Sequence, residues 1–251
     1  MKLLEKVFLG LGLTIYISVS HAAADYLNAN WLSFIKSNFV SSLSVGPSWE
    51  SAGQAQTLNL APDVVKTYTT NRPSNSMPSA ELFLGIKNEL PKQMEDQIGL
   101  AFAASGNATL SGAIWDDGNP SFNNYTYQYK VNHLGFSLKG KLIANWNWIF
   151  MPWISGSLGV GFNTAYGFNN TPTIYQAVRM PNFASHTITA LTYTLGAGLQ
   201  HQLNQHWQAG VGYEFSDWGK SRLGSASGTG QGLSLSHLYT NSILFNLTYI
   251  A

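Results

Sequence analysis

The residues that could do acid–base or nucleophilic chemistry are few and lie far apart in this sequence. Five histidines follow residue 24, and one of them, His237, comes directly after Ser236. An acid, Asp217, precedes the same stretch of chain. A hydrolase or acyltransferase needs a nucleophile, a histidine and an acid within hydrogen-bond reach. These three residues form the candidate catalytic set, but we expect no catalytic site, because no surrounding motif supports one.

Four other ionisable residues suggest an internal charge network, because each falls on the small or polar face of an alternating stretch. They are Glu81, Lys87, Lys139 and Glu214. Charges removed from water must be paired. We therefore predict that the two glutamates pair with Lys87 or Lys139, and the alternative is a gate across a very narrow channel.

Cofactor and metal sites are not predicted. A nucleotide-binding loop needs glycines spaced G-x-G-x-x-G before a helix. The glycine doublets here lie inside strand patterns, which indicates a narrow interior with room only for small side chains. His201 and His206 bracket a short turn without a cysteine or a carboxylate cluster nearby, which is weak evidence for a metal. The doublets are Gly159/Gly161, Gly196/Gly198 and Gly210/Gly212.

The elements that carry these residues are strands. From Trp207 to Phe215, bulky apolar residues alternate with small or polar ones, and residues 242–249 repeat the pattern. A period of two is the period of a β-strand. One apolar face and one polar face suit a strand between lipid and a polar interior.

The same alternation predicts eight strands. It also predicts a bulge near Asn132, because Tyr127, Tyr129 and Val131 fall on the opposite face from the apolar residues that follow them. The strands cover residues 39–50, 78–90, 96–105, 126–142, 148–166, 186–203, 207–215 and 242–249. The second, fourth and sixth strands are followed by short turns. The first, third, fifth and seventh strands are followed by long segments rich in Gly, Ser, Asn, Pro and Thr, at residues 51–77, 106–125, 167–185 and 219–237.

Alternating short and long connections are typical of transmembrane barrels, with short periplasmic turns and long external loops. The predicted fold is an all-β, eight-stranded, antiparallel up-and-down transmembrane β-barrel over residues 39–251. Both strand termini are then periplasmic, and four loops lie outside. Aromatic residues near the strand ends fit the two interfacial girdles of such a barrel: Trp49, Trp146, Trp148, Trp207, Trp218 and Tyr249.

Composition agrees with a membrane barrel. Charged residues make up 10% of the chain, against about 25% in soluble domains. The net charge is +1, which gives no electrostatic case for nucleic acid. Residues 1–24 form a predicted signal peptide, with a basic start, an apolar stretch and an A-x-A-type site at Ala22–Ala24. Residues 25–38 form a short amphipathic helix or leader.

The eight strands, the alternating connections, the Ala209–Phe215 strand and the aromatic-ended last strand resemble the OmpA-type small outer-membrane barrels of Gram-negative bacteria. In that family the closing strand ends in Phe or Trp, which the assembly machinery reads. Here Tyr249 is the last aromatic residue, and Ile250 and Ala251 follow it. The resemblance implies residence in the outer membrane and, in some members, adhesion.

The expected function is therefore a structural or surface-interaction role, adhesin-like, carried by the external loops of a monomer. The expected partners are outer-membrane lipid and lipopolysaccharide, the barrel-assembly machinery, and host or surface ligands of the loops. Two alternatives stay open. One is a barrel enzyme that modifies membrane lipid, of the lipid A acyltransferase or deacylase class, and the other is a very narrow channel.

Overall fold

The computed structural model describes residues 38–51, 53–71, 76–146, 148–178, 180–226, 230 and 232–251. The predicted signal peptide, and the predicted helix up to residue 37, lie outside these residues. The described part of the chain contains no helix that is both long and apolar enough to cross a membrane.

Twelve strands form in the described residues, and a 3₁₀ helix, Pro120–Phe122, lies between the fifth and sixth. They are β1 (Phe39–Glu50), β2 (Gln56–Ala61), β3 (Val64–Tyr68), β4 (Met77–Leu90), β5 (Met94–Asp116), β6 (Asn123–Ala144), β7 (Met151–Pro172), β8 (His186–Gln202), β9 (Trp207–Asp217), β10 (Ser221–Arg222), β11 (Ser234–Leu235) and β12 (Tyr239–Ile250).

Eight of these strands close into an antiparallel barrel, which confirms the predicted fold. Around the ring, the order is β1, β4, β5, β6, β7, β8, β9 and β12, and β12 pairs with β1. The β2–β3 hairpin adds to β5 outside the ring, and β10 and β11 form a small hairpin of their own. Closure leaves no unpaired sheet edge in the wall, as a strand structure in lipid requires.

The outward face of the barrel carries a continuous belt of exposed apolar side chains, while the inward face is polar. Such a large apolar surface would be costly in water but suits hydrocarbon. The belt includes Leu43, Val45, Ile98, Leu100, Phe102, Leu134, Phe136, Leu138, Ile154, Leu158, Val160, Phe162, Leu191, Leu195, Leu199, Val211, Ile243, Phe245 and Leu247. We call the barrel end with the short β4–β5, β6–β7 and β8–β9 connections the turn end, and the other the loop end.

Three neighbouring strands, β5, β6 and β7, run far past the belt at the loop end. They have 23, 22 and 22 residues, about twice the length that a membrane-spanning strand needs. The prediction of a long loop over residues 106–125 is therefore wrong, because only residues 117–122 connect β5 to β6. We call the part of β5–β7 beyond the belt the extension.

The predicted bulge near Asn132 is also wrong. Residues 125–135 of β6 keep one phase, with odd-numbered residues buried throughout. The register shifts beside this stretch lie in the neighbouring strands instead, between Ser105 and Ala108 of β5 and between Tyr166 and Asn169 of β7. The apolar residues change face because the medium outside changes from lipid to water, so the buried face becomes the apolar one.

The inward face of the extension, together with the β2–β3 hairpin and the connections after β7 and β9, encloses an apolar core. Tyr68 and Tyr127 pack edge to face, with ring centroids 5.4 Å apart. Phe168 and Phe183 do the same at 4.9 Å. This core caps the loop end of the lumen, and its other buried members include Met77, Leu110, Ile114, Tyr125, Tyr129, Val131, Leu223, Leu233, Leu235 and Leu238.

Candidate functional site

An ion cluster fills the middle of the barrel lumen. Lys139 of β6 lies 2.6 Å from the Oε1 of Glu81 on β4 and 2.7 Å from the Oε2 of Glu214 on β9. All three side chains are at most 10% exposed. The Lys139 ammonium donates to both carboxylates, so it joins three well-separated strands across the lumen.

The fourth residue of the predicted network, Lys87, does not reach these two glutamates. It lies 3.8 Å from the Oε2 of Glu95, nearer the turn end. Lys141, two residues after Lys139, also points into the lumen and donates to the Oε1 of Gln200 at 2.6 Å. Sequence reasoning missed Glu95 and Lys141. The strand period contained the signal for Lys141, because it shares the parity of Lys139.

The interior glycines leave space for one large side chain. The indole of Trp153, on β7, lies over the inward positions of β8 and β9, where a Cβ on Gly198 would come within 2.6 Å of the ring. A Cβ on Gly212 would also collide with it. The Lys141 ammonium lies over the Trp153 ring, 4.7 Å from its centroid. Tryptophan and glycines together fill the turn end of the lumen.

Trp218 does not lie in an interfacial girdle as predicted. It is 7% exposed and points into the lumen, because the chain turns inward directly after β9. Its ring stacks on His133 of β6, and its Nε1 donates to the Oγ1 of Thr240 at 2.9 Å. The side-chain amide of Asn163 donates to the carbonyls of Trp218 and Lys220, at 2.6 and 2.7 Å. The β9–β12 connection therefore closes the lumen above the ion cluster.

The other five predicted girdle residues are exposed on the outside of the molecule. Trp49 lies at the loop end, where it pairs in register with Asn241. Trp146 and Trp148 pack edge to face in the β6–β7 turn, with centroids 5.2 Å apart. At the same end, Trp207 and Tyr249 face each other across the β9–β12 pair at 5.2 Å. Aromatic residues therefore lie at both ends of the apolar belt.

A histidine–aspartate pair lies on the outward wall at the loop end. The Nδ1 of His237 is 2.7 Å from the Oδ2 of Asp217. The Asp217 side chain is 3% exposed and the His237 side chain 52%. Tyr239 stacks on the imidazole, with centroids 5.6 Å apart. Among the described residues, Ser236 forms no hydrogen bond with His237, so a nucleophile–histidine contact is missing from the candidate catalytic set.

Two further histidines, His201 and His206, lie beside main-chain carbonyls. The Nδ1 of His201 lies 2.6 Å from the carbonyl oxygen of Ile149, and that of His206 lies 2.9 Å from the carbonyl oxygen of Ile250. Both interactions tie chain segments together at the turn end. In the described residues, no group of three or more His, Cys, Asp or Glu side chains is arranged to hold a metal ion.

The far end of the extension presents exposed apolar side chains. Tyr175 and Val178, in the connection after β7, are 100% and 81% exposed. This connection is tied to the β5–β6 end of the molecule, since the Thr173 amide donates to the Asn124 carbonyl at 2.8 Å. We call the exposed residues here the apolar tip, consisting of Phe122, Ile174, Tyr175 and Val178.

Comparison with known proteins gives structural matches only. No protein-family model and no curated protein matches the chain. The outer membrane protease OmpT from Escherichia coli superimposes with a TM-score of 0.52, over 87% of this chain and 98% of that one. The fold is that of an outer-membrane β-barrel. At 7% identity, the likeness to OmpT extends to the fold alone.

Two other solved structures also align with this one. OprG from Pseudomonas aeruginosa matches with a TM-score of 0.46 and 13% identity, over 86% of this chain and 98% of its own. Ail from Yersinia pestis, solved with the heparin analogue sucrose octasulfate, matches with a TM-score of 0.34 and 14% identity, over 84% and 98%.

Proposed function

We propose that this barrel resides in the outer membrane of a Gram-negative bacterium, exported by a cleaved signal peptide, and acts as a monomeric surface-interaction protein of the OmpA type. The observation that carries this proposal is the extension with its apolar tip. Strands β5–β7 run past the belt, and their far end exposes four large apolar residues to solvent. Exposed apolar patches of this kind favour protein contacts.

The side chains that fill the lumen favour an interaction role and argue against a channel. The ion cluster, Trp153 and the Trp218 stack occupy three successive levels of an eight-stranded barrel, whose interior holds side chains and little else. A solute path would have to displace all three. Conduction would therefore need a rearrangement of the β9–β12 connection.

The test replaces the apolar tip with polar side chains. Bacteria expressing the wild type, or a variant with serine at Phe122, Ile174, Tyr175 and Val178, would be compared for attachment to cultured epithelial cells and for autoaggregation. We expect the serine variant to lose most of either activity while its barrel stays heat-modifiable on gels. The control variant, Asp117→Asn with Gln176→Ser, exchanges polar residues at the same end. Equal attachment and aggregation by all three strains would refute the proposal.

A second candidate function, modification of membrane lipid, is favoured by the His237–Asp217 pair. A buried carboxylate orients an exposed imidazole on the outward wall, beside Tyr239, where lipid headgroups meet hydrocarbon. Such an imidazole can act as a general base toward water. The test is mass spectrometry of lipid A and phospholipids from expressing cells. A change in acylation that disappears with His237→Ala would establish an enzyme, and unchanged lipids would leave the pair with a structural role.

A further inference from the structure

The outward surface of the extension carries a row of uncharged polar side chains across four adjacent chain segments. Asn71 lies next to β5, because its main-chain N–H donates to the main-chain carbonyl of Ser111 at 2.8 Å. Ser111 is in register with Gln128 of β6, and Gln128 with Asn169 of β7. Beside this row, Thr126 is paired with Thr171. We call these six residues the amide row, and they line a groove of about 310 Å³.

The side chains of the amide row have unused hydrogen-bonding capacity. Among the described residues, none of the six forms a side-chain hydrogen bond with the rest of the protein. Facing polar residues elsewhere on the wall behave differently. Thr164 and Thr187, for example, bond to each other through their hydroxyls at 2.9 Å. The row therefore offers three amides and three hydroxyls, each able to donate and accept.

The chemistry of the groove selects its ligand. Among the described residues, no charged side chain lines it, so this lining offers neither the lysine or arginine that a phosphate or sulfate needs nor the carboxylates that a cation needs. The described lining also contains no large aliphatic side chain. Ligand hydroxyl groups that donate and accept hydrogen bonds match amides and hydroxyls best. An uncharged oligosaccharide has this character along its whole length.

The position of the groove identifies the source of the sugar. On β6, Leu134 is the outermost exposed apolar residue of the belt, and Gln128 lies six residues further out on the same face. Six residues of a tilted strand rise about 15 Å above the hydrocarbon. In an outer membrane that height lies within the saccharide layer of lipopolysaccharide. Lys130, exposed between Leu134 and Gln128, lies lower, towards the phosphate groups.

We propose that the amide row binds uncharged sugars of lipopolysaccharide in the membrane that surrounds the barrel. This inference rests on the proposed outer-membrane residence, but not on adhesion by the apolar tip. In this proposal the outward side of the extension contacts lipopolysaccharide of the protein's own membrane, and the apolar tip remains available to other partners. The bound sugars would brace the three long strands where they emerge from the lipid.

The experiment uses the full-length protein, refolded in detergent micelles, and titrates it with core oligosaccharide released from lipopolysaccharide and freed of phosphate. Binding would be followed by saturation-transfer NMR and calorimetry. The test variant is Asn71→Ala, Gln128→Ala and Asn169→Ala, and the control variant is Thr164→Ala with Thr187→Ala. Circular dichroism and heat-modifiability show that each variant is folded.

We expect saturable binding to the wild type and the control, and at least tenfold weaker binding to the triple variant. No saturable binding to the wild type, or equal binding to the triple variant, would overturn the proposal. Binding that requires the phosphates and disappears with Lys130→Ala would also overturn it, in favour of phosphate recognition. Binding to a neutral milk oligosaccharide but not to core oligosaccharide would refute the assignment to the bacterium's own membrane. Loss of adhesion through the tip variant has no bearing on these results.

Discussion

The indole of Trp218 and the imidazole of His133 stack inside the barrel, with ring centroids 5.0 Å apart and planes 19° from parallel. One belongs to the connection after β9 and the other to the wall strand β6. Their contact shows that the β9–β12 connection folds into the lumen instead of standing free above the membrane. Asn163 fixes it there through two main-chain carbonyls.

Trp218→Ala should release this connection without opening the barrel wall. Truncation of a buried tryptophan costs about 3–5 kcal/mol. This loss is larger than the stabilisation that the two Asn163 hydrogen bonds contribute. We expect faster proteolysis within residues 218–238, followed by mass spectrometry, while the barrel stays heat-modifiable. Trp207→Ala, on the outside at the turn end, is the control and should leave the cleavage rate unchanged. A Trp218→Ala protein as resistant as the wild type would contradict the inward plug.

Lys139→Met should destabilise the barrel strongly. It leaves Glu81 and Glu214 buried without their shared cation, and breaking a buried ion pair costs about 3–5 kcal/mol. The measurement is urea unfolding in lipid vesicles, followed by tryptophan fluorescence. Adding Glu81→Gln and Glu214→Gln to Lys139→Met should recover most of the loss, because no unpaired charge remains. Lys130→Met, at an exposed outward position, should change the unfolding free energy little.

Gly212→Ala should weaken packing at the turn end of the lumen. The new methyl group would collide with the Trp153 ring, and overpacking of this kind costs about 1–3 kcal/mol. Gly140→Ala is a matched control, because no atom lies within 4 Å of its added Cβ. Urea midpoints in vesicles would compare the two. If the smaller ring of Trp153→Phe does not reduce the cost of Gly212→Ala, then Trp153 is not the residue that the methyl group meets.

Alkaline pH should loosen the apolar core of the extension. Burial raises the pKa of Tyr127 to about 12, and burial also raises the pKa of Tyr68 and Tyr129 above the usual value of 10. Because the folded state holds these phenols neutral, its stability is intact below pH 10 and falls as the pH rises towards 12.

The measurement is phenolate absorbance together with near-ultraviolet circular dichroism across this pH range. The Tyr127 hydroxyl donates to the Thr69 carbonyl at 2.6 Å. Tyr127→Phe should therefore lower stability at pH 8 but reduce the further loss between pH 10 and 12. Tyrosines of the core that ionise at pH 10, with no loss of the dichroic signal, would contradict a packed core.

Much of the barrel wall could be predicted from the alternation of inward and outward residues along each strand. Strand β1 has the predicted bounds, Phe39–Glu50, and Glu81, Lys139 and Glu214 lie on the inward face that alternation assigned to them. The two errors in the wall, the long loop over residues 106–125 and the bulge near Asn132, share one cause. Strands β5–β7 pass from lipid into water, so the apolar residues of β6 move from the outward to the inward face near Asn132 without any change in backbone phase. Alternation in the sequence looks the same for a bulge and for a change of medium.

The sequence by itself determined that eight wall strands exist, and with them the lipid belt and the polar lumen, because a period of two is a local property of the chain. Only the tertiary structure decided which side chains meet: Lys139 between two glutamates, Trp218 on His133, His237 on Asp217 and the polar neighbours of Gln128. These contacts depend on the register at which strands pair around a closed ring, and on the path of connections that have no period. Register and path are set by packing across the whole molecule, over separations that no local pattern encodes.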